Sequence, residues 1–141
     1  MNTKQLVINN DVEQISLLAE YIETIAEEAG ISPSLVMSLN LALEEALTNV
    51  VLYAYPEGTQ GTVQIDASWD NKKLTFVITD SGTAFDPTQK EDADITLSAE
   101  DRPIGGLGIF LVKQLMDTVI YERQDGLKNV LTLTKNLEEI R

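Results

Sequence analysis

The sequence contains neither cysteine nor histidine. Without thiols it can form no disulfide and no thiolate metal site, which fits a cytosolic setting. Without imidazole, Ser-His-Asp chemistry and most zinc sites are excluded as well. Basic residues are scarce: 10 Lys and Arg stand against 23 Asp and Glu, a formal net charge of −13. A chain so acidic repels phosphate backbones at long range, so nucleic acid is not expected as a direct partner. Screening limits that repulsion to roughly 8 Å at physiological salt, so an anion can still be held where local donors and a metal receive it. A basic protein segment is the more natural long-range attraction. No charged-then-apolar leader marks secretion, and no apolar run is expected to reach the ~20 residues a membrane span needs.

What is present fits one domain over residues 1–141, with 43% hydrophobic residues, no repeats and no linkers. The most informative stretch runs from Ser32 to Gly58. Ser32 reads as an N-cap and Pro33 as a first-turn proline, opening a helix that runs to about Tyr53 and stops near Pro56 and Gly58. Leu39, Leu43, Ala46, Leu47, Val50 and Ala54 repeat at three- and four-residue steps and form a core-facing stripe. Beside it, Glu45, Asn49 and Tyr53 follow at i, i+4 and i+8. That polar row is either a solvated helix face or the border of a pocket.

Elsewhere, Leu6–Ile8 reads as a short strand. Asn10 and Glu13 form a capping box for a helix with apolar positions Val12, Ile15, Leu18, Ala19, Ile22, Ile25, Ala26 and Ala29, ended by Gly30. After Gly58 the period drops to two. Val63, Ile65, Ala67 and Trp69 mark one strand and Leu74, Phe76 and Ile78 the next, joined at Asp70-Asn71 as an antiparallel hairpin. Thr88–Pro103 is polar and aperiodic, a gap of functional length. A glycine stretch then leads into a helix from Ile109, and two strands, Thr118–Arg123 and Asn129–Lys135, turn at Asp125-Gly126. The predicted fold class is an α/β (α+β) two-layer sandwich, a mixed and mainly antiparallel sheet with helices over one face.

Three segments can carry chemistry. In the first, an amide oxygen at Asn49 suits Mg²⁺, which keeps most of its waters and bridges to substrate phosphates. Glu45, one turn earlier, can orient or deprotonate an attacking group, whereas Glu44 lies about 100° round the helix. The second is Asp80-Ser81-Gly82-Thr83-Ala84, where a carboxylate can accept from an exocyclic amine such as that of adenine; a plain Asp–Gly turn is the competing reading. The third is Gly105-Gly106-Leu107-Gly108, whose backbone N–H groups can cradle an anion or simply make a hinge. It is not a P-loop, lacking the Lys-Ser/Thr ending.

Taken in order, Glu45-x-x-x-Asn49-x-x-x-Tyr53, Asp80-x-Gly82 and Gly105-Gly106-x-Gly108 resemble the Bergerat-fold (GHKL) ATP-binding domain of gyrase, heat-shock chaperones, sensor histidine kinases and MutL-type repair proteins. LEEALTNVVLYAYP, DSGTAFDP and GGLGIFLVKQLMD look most like the anti-sigma factor serine kinases. The resemblance implies ATP and Mg²⁺ as cofactors. It implies Asn49 as metal ligand and Glu45 as general base toward a partner's serine. Asp80 and Gly82 would meet adenine, with Ala84 where the superfamily prefers glycine. Gly105, Gly106, Leu107 and Gly108 would wrap the phosphates, Arg102 would reach the γ-phosphate, and Asn129 stands where relatives carry a threonine near adenine. The implied partners are a sigma factor, an anti-sigma factor antagonist and a second copy of the chain, in the cytoplasm. Two other readings stay open: a non-catalytic nucleotide-dependent module, and a detached histidine-kinase-like ATPase domain.

Overall fold

A computed structural model describes residues 2–56, 58–84, 86–87 and 106–137. Five strands, β1 (Asn2–Asn9), β2 (Thr62–Trp69), β3 (Lys73–Asp80), β4 (Thr118–Gln124) and β5 (Lys128–Asn136), form one sheet in the order β1-β2-β3-β5-β4. Three α-helices, α1 (Leu17–Ala29), α2 (Pro33–Tyr53) and α3 (Gly106–Leu115), and a short 3-10 helix before α1 complete the described architecture. The two-layer α+β class follows from the alternation in β2 and β3. Val63, Ile65, Ala67, Trp69, Leu74, Phe76 and Ile78 are buried on the helical side. The opposite face carries Gln64, Asp66, Ser68, Thr75 and Thr79.

Every strand pairing among the described residues is antiparallel, where a mixed sheet was expected. The reason is topological. β4 follows α3 but takes the edge position, and β5 returns between β3 and β4, so β3 and β4, which run in the same direction, never hydrogen-bond. The return is a three-residue loop, Asp125 to Leu127, with Asp125 at φ 55° and Gly126 at φ 67°, the left-handed backbone that a tight hairpin favours.

α2 starts as its sequence dictates: Ser32 Oγ accepts from the Leu35 N–H at 3.3 Å, and Pro33 fills the first position. Leu39, Leu43, Ala46, Leu47, Val50 and Ala54 are all buried. By length and composition α2 is apolar enough to cross a membrane, contrary to expectation. Its apolar face is instead spent on the core, where it packs against α1 and α3. The first helix differs in detail from its prediction. Asp11, not Asn10, is the cap, accepting from the Glu13 N–H at 2.9 Å. Asn10 instead holds the loop before β2 through Gly61 N (3.0 Å) and Thr59 O (2.6 Å). Val12–Ser16 winds as a 3-10 helix before α1. Three residues per turn shift the phase, so Val12 and Ala19 face solvent and Tyr21 enters the core.

Candidate functional site

The polar row on α2 is graded in depth. Glu45 and Tyr53 are half-buried, whereas Asn49 retains 2% of its surface. The Asn49 amide nitrogen donates to the Glu45 carbonyl one turn back, at 3.0 Å. Its oxygen, Oδ1, is buried with no hydrogen-bond partner among the described residues. A buried acceptor left unmatched costs about 1–3 kcal/mol, so such an atom calls for an outside ligand. A hard, neutral oxygen of this kind fits Mg²⁺. Among the described residues no group of three acidic side chains could hold a metal. Glu44 is exposed, as its place on the helix requires. Burial, and secondarily the charge of Glu44, raises the Glu45 carboxyl above its ordinary range, which makes it a better proton acceptor.

The corner after β3 is bolted to the end of α2. The Ala54 carbonyl accepts from Thr83 N at 2.7 Å and from Thr83 Oγ1 at 3.0 Å. The Tyr55 hydroxyl accepts from Ser81 N (3.0 Å) and donates to Thr62 O (2.7 Å). Gly82 lies so close beneath that an added Cβ would sit 2.3 Å from the Ala54 oxygen. Packing alone therefore requires glycine at 82, whatever approaches from outside. Ala84, beyond the corner, is exposed.

Asp80 is the last residue of β3 and faces inward with 3% of its surface exposed. Its Oδ1 accepts from Gly82 N and from Asn129 Nδ2, both at 2.9 Å. Burial pushes its carboxyl upward, and the bonds from Asn129 and Gly82 and the charge of Arg123 oppose that shift. Asn129 sits directly across the β3–β5 ladder from Asp80. Its nitrogen also donates to Thr83 O at 2.7 Å, and its oxygen accepts from Tyr121 (2.5 Å) and Arg123 (3.2 Å). Those four bonds spend the amide on the protein, so Asn129 orients Asp80 from behind.

Tyr55, Tyr121 and Arg123 went unread in the sequence. The signal was available for two of them. Alternation from Val119 puts Tyr121 and Arg123 on the same inward row as Asn129, where a lone arginine needs a partner.

The glycine stretch also differs from expectation. Gly106, Leu107 and Gly108 form the first turn of α3, not a loop ahead of it. Arg102 and Gly105, with the expected lid Thr88–Pro103, lie outside the described residues. α3 buries Ile109 and Val112, with Met116 buried just past its end, and packs along α2. One helix thus touches every motif: Glu45 and Asn49 at its middle, the Asp80 corner at its end, α3 along its flank.

A helix-roofed antiparallel sheet with this order of motifs defines a class. The chain belongs to the histidine kinase-like ATPase domain family, whose model matches residues 8–135. Membership makes ATP its ligand class. Among individual proteins it is similar to the serine-protein kinase RsbW of Listeria monocytogenes serovar 1/2a, at 33% identity over 132 residues. That match spans 91% of this chain and 84% of the relative. It is 33% identical over 116 residues to the serine/threonine-protein kinase BtrW of Bordetella bronchiseptica, covering 82% and 81%. RsbW of Bacillus subtilis strain 168 is 28% identical over 133 residues, covering 91% and 82%.

Proposed function

We propose that this chain is an ATP-dependent protein serine kinase that also serves as an anti-sigma factor, a single nucleotide-binding domain that phosphorylates an anti-sigma factor antagonist and sequesters a sigma factor. The names of its relatives supply the reaction class. The single observation that carries the chemistry is the buried Asn49 oxygen, without a partner among the described residues, one helical turn from a carboxyl of raised basicity.

In this reading Asn49 Oδ1 would hold the Mg²⁺ that accompanies the triphosphate, and the metal would supply charge neutralisation on the phosphates. Glu45 takes the proton from the acceptor serine hydroxyl as its oxygen bonds to the γ-phosphorus and the bond to ADP breaks. Asp80 accepts from the exocyclic amine of adenine, with Gly82 and Ala84 beside the ring and Asn129 supporting the acid. Gly105, Gly106, Leu107 and Gly108 offer backbone N–H groups to the phosphates, and Arg102 neutralises the γ-phosphate. The chain works in the cytoplasm as a homodimer, without direct nucleic-acid or membrane contact. Its −13 charge favours basic partner surfaces.

The test is to co-purify the chain with its partners and add labelled ATP. Label is expected on a serine of a small partner. Glu45→Gln should keep Mg-ATP affinity and lose transfer by about 10²–10⁴-fold. Transfer at the normal rate in that variant removes Glu45 as base. A stable complex that never takes up label supports the non-catalytic module, and label on a histidine supports the detached histidine-kinase reading.

A further inference from the structure

Arg123 belongs to none of the three motif segments, yet its guanidinium closes the corner that carries Asp80. Nη1 donates to the Gly82 carbonyl at 2.9 Å and to Asn129 Oδ1 at 3.2 Å, while Nη2 donates to the Gly126 carbonyl at 2.9 Å. One side chain on β4 thus joins the loop after β3, the β4–β5 turn and the buried amide on β5.

The chemistry of these groups sets which way Asn129 faces. A guanidinium can only donate, so it requires the amide oxygen. The Thr83 carbonyl can only accept, so it requires the amide nitrogen. With both ends specified, the remaining N–H falls on Asp80 Oδ1, which already receives Gly82 N. Asp80 Oδ1 is therefore held as an acceptor by two donors, and any ligand meets a carboxylate oriented to receive hydrogen. Were the amide turned over, its oxygen would oppose both Asp80 and the Thr83 carbonyl. Two acceptors in contact repel, and the acid would be relieved only by taking up a proton.

We propose that Arg123 is a positioning residue for base selection: by claiming the Asn129 oxygen it keeps the amide nitrogen against Asp80, and so keeps Asp80 an acceptor that takes a 6-amino purine over a 6-oxo purine. Adenine offers an N–H at that position and guanine a carbonyl oxygen. This rests on the reading of Asp80 as the base contact. Tyr121 assists, since its hydroxyl also donates to Asn129 Oδ1.

The experiment compares ATP and GTP affinity by calorimetry with Mg²⁺ present, reading the ratio and not either value alone. Arg123→Met is expected to narrow the preference for ATP by roughly tenfold, the scale of one lost hydrogen bond from a charged donor. Arg123→Lys, which restores a cationic donor, should recover much of it. Tyr121→Phe should narrow it less, because Arg123 remains. An unchanged ratio in Arg123→Met, or equal weakening of both nucleotides as a merely structural corner would give, overturns the proposal. Should Arg123→Met not fold, Tyr121→Phe carries the test, and an unchanged ratio there overturns it too. Failure of the underlying reading looks different: wild type would show no preference for ATP, or Asp80→Asn would leave that preference intact.

Discussion

Asn49 and Asn129 are buried almost alike, with 2% and 4% of their surfaces exposed. Their surroundings have opposite character. Among the described residues the Asn49 side chain bonds to its own helix and leaves Oδ1 without a partner. The Asn129 side chain is bonded to both neighbouring strands, β3 and β4, and to the corner beyond β3. Burial alone thus says nothing of a polar residue's job. What matters is whether the protein itself saturates the group. A saturated amide is a brace, and an unsaturated one is a socket, since a buried acceptor without a donor persists only where something else stabilises it.

Substitutions can sharpen or break that contrast. The largest effect is expected at the socket. Asn49→Ala should lower Mg-dependent ATP affinity by at least about a hundredfold, the upper end of what even outer-sphere partners contribute to metal sites. Its ligand-free stability should stay near wild type, because only a local helix bond is lost. Unchanged calorimetric affinity with Mg²⁺ present would end the ligand assignment. The brace should behave in reverse. Asn129→Ala strands Asp80, Arg123 and the Thr83 carbonyl together, and should destabilise the ligand-free protein by about 1–3 kcal/mol in urea unfolding. If Asn129→Ala melts like wild type, the saturated network is not structural and the comparison fails.

The smallest effect concerns pH. Burial holds the folded Asp80 carboxyl above its ordinary value of 3.8. The folded state then binds that proton more tightly than the unfolded chain does. The resulting contribution to stability is complete below pH 3.8 and declines as pH rises through the folded value. Asp80→Asn removes the titrating group, so its stability–pH curve should lack that decline. Urea midpoints at a series of pH values from acid to neutral read the difference, and parallel curves would show that Asp80 titrates as it does when unfolded.

The contrast also explains what could be read from residues alone. The socket lies on one helix, and helical period is written in spacing. Glu45, Asn49 and Tyr53 recur every four residues, so their shared edge was visible before any fold was known. The hairpin turns at Asp70 and at Asp125-Gly126 were legible for the same reason, because turn chemistry is local. The first helix was misread at Val12 because a 3-10 turn resets the phase without a distinctive residue to announce it. The brace spans Asp80, Tyr121, Arg123 and Asn129, residues up to 49 positions apart. Only strand register brings them together, and register is settled by how a whole sheet pairs.

By itself, the sequence determined the elements: where α2 begins and which edge of it is polar, where the strands alternate, and which residues stand at the turns. These are short-range consequences of period, capping and glycine conformation. Tertiary structure alone decided that β5 inserts between β3 and β4, that Gly82 must be glycine because Ala54 lies beneath it, and that one buried asparagine is saturated while the other is left open. The reason is that saturation depends on neighbours distant in the chain, and nothing in a local pattern counts them.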